Sequence, residues 1–329
     1  RAMTLNLASA EGRGVLLRLV KTADVLVENY RAGALDRLGL GYAALRACNP
    51  DLIYCSLTAY GRTGPKAGDT AYDGVIQATS GLMSVSGTPE VTPLKVGAPV
   101  VDYASGITAA FAIASALLQR ERNGGGGQHI DVAMADTALM LMASNVCGYL
   151  STGEMLSQPR GNDFSTAGGS CYQTKDGLLV LASLNERQHR RLWTYLGRPD
   201  LALLYRQSDQ IAQDATLRAA LAALLQERTA DEWEQALNAI SVPAGRVRTV
   251  PEALAMEQTA TRAGLLHRHE VVAGIDGPVT VPVAGFAFAH DGPQITRPPP
   301  PFGADTEAVL REAGYTAAET ATLRAAKII

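Results

Sequence analysis

DVLVENYRAGALDRLGLGYAALRACNPDLIYCSLTAYG, residues 24–61, contains two short apolar, β-branched runs, DVLVEN and DLIYCSLTAYG. Between them lies ALDRLGLGYAALRAC, which reads as one or two short helices. A connection this long and helical suits a crossover between parallel strands better than a hairpin. The same alternation continues outward. SAEGRGVLLRLVKTA (9–23) carries Leu16, Leu17, Leu19 and Val20 on one helical stripe, with Ser9 as its cap. RAMTLNL reads as a strand, YDGVIQATSGLMSV as helical and QHIDVAM as a strand; DTALMLMASNVCGYL reads as a helix. The fold class is therefore α/β, a mostly parallel sheet covered on both faces. In such sheets ligands bind beyond the carboxyl ends of strands, here the ends of DVLVEN and DLIYCSLTAYG.

From residue 151 the character changes. STGEMLSQPRGNDFSTAGGS is a polar linker, and a smaller α+β domain follows. There GLLVLASL is a strand, NERQHRRLWTYLG, ATLRAALAALLQER and ADEWEQALNAI are helices, and PAGRVRTV is a strand or loop. DGPVTVPVAGFAFAH reads as paired strands, ITRPPPPFGAD as a stiff connector, and two short helices end the chain. The expected division is 1–150 as the large domain, 151–170 as linker, 171–282 as the small domain and 283–329 as a return to the large one. The chain opens at Arg1 in mid-pattern, as if a preceding segment were missing.

The 329 residues are 47% hydrophobic with a net charge of −3, which supplies no basic field for nucleic acid. Residues 1–50 nevertheless carry seven Lys/Arg against four acids, a local +3 that suits a phosphorylated small ligand or a solvated helix face. Cys48, Cys55, Cys147 and Cys171 form no CxxC pair and read as reduced thiols of a cytoplasmic protein, with no metal site. The apolar run in DTALMLMASNVCGYL is too short to span a bilayer, so no membrane partner is expected. NGGGGQHID follows a helix and leads into a strand, the wrong order for a phosphate loop, and reads as a plain turn. His267–His269 lacks accompanying metal-ligand spacing and reads as a solvated strand edge.

KVGAPVVDYASG, residues 95–106, sets one acid, Asp102, among Val, Ala, Pro and Gly, just before the helical ITAAFAIASALL. Read locally, Asp102 is the helix N-cap.

These segments together resemble the family III CoA-transferases, relatives of which include formyl-CoA and carnitine-type CoA-transferases and the α-methylacyl-CoA racemases. The resemblance rests on residues 9–65, AYDGVIQATSG, VGAPVVDYASG, GGQHIDVAMAD, SVPAGRVRTVPEAL and RPPPPFGADTEAVLREAGY, in that order and spacing. It implies a Rossmann-like large domain built from both chain ends, an interlocked homodimer, and a family N-terminal strand–helix segment lacking before Arg1. It also implies transfer of CoA from an acyl-CoA to a carboxylic acid, with CoA as substrate and no permanently bound cofactor. By position, Asp102 matches the catalytic aspartate. Leu5 matches an adenine-packing position, and Asn29, Tyr30 and Arg31 match the nucleotide-lining stretch. Arg37 matches a residue facing a CoA phosphate, with Leu38 beside it; without a ligand it would pair with Asp36 or Glu28. Tyr72 and Asp73 match the mouth of the site, and Gly168 and Gly169 match a glycine loop loosely. Ala8 and Thr70 depart from lysines of the formyl-type enzymes. Oxyanion donors are expected near Gly106 or in the Gly168–Gly169 loop. Alternatives are a racemase, in which a His stands at the position of Tyr72 as base, and a non-catalytic CoA-binding paralogue. A nicotinamide oxidoreductase would need a GxGxxG after a strand, and this chain has none.

Overall fold

A computed structural model describes residues 1–155, 159–163, 166–262 and 264–329. Part of the 151–170 linker expected from sequence, namely residues 156–158 and 164–165, lies outside them. Strands β1 (Val25–Glu28), β2 (Ile53–Thr58) and β3 (His129–Ala133) form a parallel sheet in the order β1-β2-β3. Val25 faces Ile53, and Tyr54 faces His129. The central strand β2 is buried almost throughout, as expected when both faces are covered. Its Tyr54 packs with Val20, Leu35, Leu40, Leu45 and Leu52, while Cys55 packs with Ala109 and Val132.

The helices of this part are α1 (Ala10–Val20), α2 (Ala34–Arg37), α3 (Tyr42–Cys48), α4 (Asp73–Thr79), α5 (Val100–Arg122), α6 (Met134–Leu141) and α7 (Ala143–Thr152). Ser9 caps α1, its hydroxyl accepting from the Gly12 amide. The apolar run read as one helix is two, broken at Met142. NGGGG is the expected turn: Gly124, Gly125 and Gly126 take φ of 71°, 131° and 93°, a region that favours glycine.

The second compact unit covers residues 159–265. Strands β4 (Gly169–Gln173), β5 (Leu178–Ala182) and β6 (Ala244–Arg246) form an antiparallel sheet. It is accompanied by α8 (Glu186–Tyr195), α9 (Pro199–Ala202), α10 (Gln207–Ala212), α11 (Asp214–Leu224), α12 (Ala230–Ala239), α13 (Val250–Ala255) and α14 (Glu257–Thr261). Leu179, Leu181, Leu192, Trp193, Leu221 and Trp233 form its core.

Residues 266–329 belong with 1–158. Strands β7 (Leu266–His269) and β8 (Val279–Pro282) pair as a hairpin, so the return to the first unit comes earlier in the chain than residue 283. Helices α15 (Thr306–Glu312) and α16 (Ala317–Ala325) follow. Residues 1–7 are not the strand their pattern predicts. Instead of a strand partner they meet the far end of the chain: the Ala2 amide donates to Asp305 Oδ2 (2.7 Å) and the Asn6 amide to the Ile328 carbonyl (2.8 Å).

Candidate active site

A cavity of about 480 Å³ opens at the carboxyl ends of β1 and β2. Asn29, Tyr30, Arg31 and Ala32 line one wall, and Asp69 to Tyr72 the other; residues 57–59, Met134 and Asp102 complete the lining. A smaller cavity of about 280 Å³ adjoins it through Tyr30, which lines both. Leu5, Leu7, Leu35 and Leu38 make this second space apolar. The structure thus brings together Leu5, Asn29, Tyr30, Arg31, Leu38, Tyr72 and Asp102.

Asp102 is not the N-cap of its helix. The cap position is Pro99, and Asp102 lies in the first turn of α5. Capping comes from Asp73 instead, the buried first residue of α4. Its Oδ2 accepts the amides of Val101 (2.8 Å) and Asp102 (3.3 Å), and its Oδ1 accepts Gln77 Nε2 (2.6 Å). Proline lacks a side-chain acceptor, so a carboxylate from another helix satisfies the exposed amides. Asp73 is 7% exposed, and its carboxylate is engaged by the protein rather than lining the mouth expected of it.

The Asp102 carboxylate itself has no hydrogen-bond partner among the described residues. It remains exposed, yet loss of surrounding water holds its carboxyl above the usual range, and the negative charge of Asp73 adds to that shift. The first turn of a helix favours a negative charge, but loss of water and the Asp73 carboxylate outweigh that help. Ile76, Val101, Met134 and Ala138 pack into one buried apolar cluster, from which Met134 reaches the cavity. Tyr72 is 86% exposed at the start of α4.

Arg37 does not pair with Asp36 or Glu28; those two carboxylates face Arg62 instead. The Arg37 guanidinium has no ion pair among the described residues. Arg31 donates through Nε to the Gly68 carbonyl (2.6 Å). Gly168 and Gly169 belong to the second unit, buried at the start of β4. There a Cβ on Gly168 would approach the Ser183 carbonyl to 2.6 Å, so close backbone packing accounts for that glycine. Gly106 lies in the second turn of α5, where its amide is committed to the helix and is no oxyanion donor. The capping role of Asp73, together with Thr58, Glu28 and Arg62, escaped sequence reasoning. For Glu28, Thr58 and Arg62 the one signal was position, at or just beyond the ends of the two strands already singled out.

The model of the CoA-transferase family III matches residues 1–306. An acetyl-CoA:oxalate CoA-transferase of Acetobacter aceti is 34% identical over 89% of this chain and 75% of its own length. A succinate–glutarate CoA-transferase of Agrobacterium fabrum is 32% identical over 95% of this chain and 80% of its own. A solved CaiB/BaiF family protein from Brucella suis matches with a TM-score of 0.78 and 34% identity, covering 95% of this chain and 81% of that one.

Proposed function

The chain belongs to CoA-transferase family III, and we propose that it moves coenzyme A by way of Asp102. It is an enzyme that transfers CoA from an acyl-CoA donor to a carboxylic acid acceptor. An unpartnered carboxylate in the first turn of α5, facing the cavity, is the observation that carries the mechanism.

In the first step an Asp102 oxygen attacks the thioester carbon. The C–S bond breaks, leaving an acyl-aspartyl anhydride and the CoA thiolate. The thiolate then attacks Cγ of Asp102 and releases the donor as its carboxylate, which leaves an aspartyl-CoA thioester. The acceptor carboxylate repeats both steps in reverse and regenerates Asp102. No net proton or electron is consumed, and one difficult exchange becomes a series of easier ones. CoA is a substrate throughout. Its adenine fits the apolar space lined by Leu5 and Leu38, and the unpaired Arg37 guanidinium suits a phosphate. Hydroxylamine added with an acyl-CoA should convert Asp102 to a hydroxamate detectable by mass spectrometry. Exchange at wild-type rate by Asp102→Ala would disprove the assignment.

We further propose that the large domain is Rossmann-like and that two chains interlock as a homodimer. Tyr103, Ile107, Phe111 and Leu118 leave one stripe of α5 exposed, and Met140 and Leu150 of α6 and α7 are exposed too. A monomer rarely leaves so much apolar surface uncovered, and a second copy is the proposed cover. Alpha5 is also long and apolar enough to cross a membrane, but it carries Asp102 in its first turn, which favours a protein partner. Sedimentation should find dimers that dilution does not separate. Four free cysteines support placing the enzyme in the cytoplasm.

A further inference from the structure

The two walls of the larger cavity come from different connections, Asn29–Ala32 after β1 and Asp69–Tyr72 after β2. Loops of this kind have no sheet bonding to keep them at a fixed spacing. Arg62, in the β2–α4 connection, reaches across. Its Nη2 donates to Asp36 Oδ2 at 2.6 Å, its Nη1 stands 4.0 Å from Glu28 Oε1, and its backbone amide donates to Asp131 Oδ2 at 2.9 Å. Glu28, 7% exposed at the end of β1, accepts the Tyr30 amide at Oε2 (2.8 Å) and the Tyr54 hydroxyl at Oε1 (3.5 Å). Asp36 lies in α2, beside Arg37.

The geometry points to Arg62 as a positioning residue for CoA binding: it brackets Glu28, which holds Tyr30, and Asp36, whose helix carries Arg37. The inference rests on the family III reading of this site. Arg62 touches no ligand-facing atom itself. Together with the bond from Arg31 Nε to the Gly68 carbonyl, it keeps the β2–α4 connection and the 28–37 segment in register, and with them both cavities that Tyr30 lines. Its charge contributes to this through Asp36 and Glu28. Burial pushes the Glu28 carboxyl up, with the Tyr30 amide and then the Arg62 charge acting against that shift. Without the guanidinium, the buried Glu28 carboxylate keeps its bonds from Tyr30 and Tyr54 but loses its cation and faces Asp36, a costly arrangement that displaces the segment it anchors.

The test is calorimetric titration of the full chain with free CoA, together with steady-state CoA exchange and thermal melting. Arg62→Ala should raise the Kd for CoA ~10-fold, and Asp36→Asn, which weakens the exposed arm of the bracket, ~3-fold. Both should keep kcat at saturating acyl-CoA within about twofold, since Asp102 and its cap are untouched. Adding Glu28→Gln to Arg62→Ala should recover part of the lost affinity, because glutamine still accepts the Tyr30 amide without burying a charge. Loss of packing alone yields no such rescue. Wild-type Kd in Arg62→Ala overturns the inference, and so does failure of the rescue. Should Arg62→Ala not fold, wild-type Kd in Asp36→Asn overturns it. A wild type that binds no CoA overturns the inference together with the CoA reading of the site. CoA binding without exchange overturns the transfer reading alone.

Discussion

Replacing Asp73 separates its two tasks, capping α5 and biasing Asp102. Asp73→Ala removes three hydrogen-bond acceptances at once. Loss of an N-cap costs about 0.5–2 kcal/mol. The Gln77 amide loses its acceptor within the core and adds about 1–3 kcal/mol. Gln77 cannot simply flip, because its Oε1 accepts the Val96 amide at 2.9 Å. The two effects share one side chain, so a total of roughly 2–4 kcal/mol is expected, a fall in Tm of roughly 5–15 °C for a unit of this size. Asp73→Asn keeps one oxygen for the helix amides and removes the charge. The nucleophile must be ionised, so activity falls as pH drops through the raised pKa of Asp102. Asparagine removes the contribution from Asp73 but not the loss of water. The acid limb of kcat/KM should therefore move to lower pH while staying above the ordinary aspartate value of about 3.9. The assay is CoA exchange followed by mass spectrometry from about pH 4 to 7, beside thermal melts. An acid limb that stays put or moves up refutes the electrostatic coupling. A wild-type Tm in Asp73→Ala refutes the cap.

The raised pKa of Asp102 also means that ionising it costs stability, a contribution fully present below the unfolded pKa and lost as pH rises through the folded one. Asp102→Asn should therefore melt at or slightly above wild type at pH 7, on the order of 1–2 °C because exposure screens the charge, and the gain should vanish in acid; a lower Tm at pH 7 contradicts this. Arg37→Ala should weaken CoA binding by roughly tenfold or more with little change in Tm, because the guanidinium has no ion pair to lose; unchanged affinity removes Arg37 from the phosphate site. Tyr72→Phe should keep exchange within about tenfold of wild type, one hydroxyl bond being worth roughly 0.5–1.5 kcal/mol. Wild type should wash no deuterium into the α-carbon of a 2-methylacyl-CoA; rapid uptake abolished by both Tyr72→Phe and Asp102→Asn would favour the racemase.

The parallel core was legible in residues 24–61 because strand and helix periodicities are local, and β1, α2, α3 and β2 form where those patterns lie. The order and spacing of motifs carried the family, and pointed to Asp102 and to the strand ends around which the cavity opens. Residues 1–7 misled for the opposite reason. Their alternation suits a strand, but a strand needs an edge to pair with, and the chain's own C-terminal residues take that place. The cap on α5 was misassigned because proximity in sequence favours Asp102, whereas the acceptor that reaches the helix amides is Asp73, 29 residues before it. The same holds for Arg62, whose carboxylate partners Glu28 and Asp36 precede it by 34 and 26 residues. By itself the sequence determined most of the elements of the parallel core and the family to which the chain belongs. Only the tertiary structure decided which groups pair with one another and which stay free, because hydrogen bonds and ion pairs are settled over a few ångströms of space, and distance along the chain does not measure that separation.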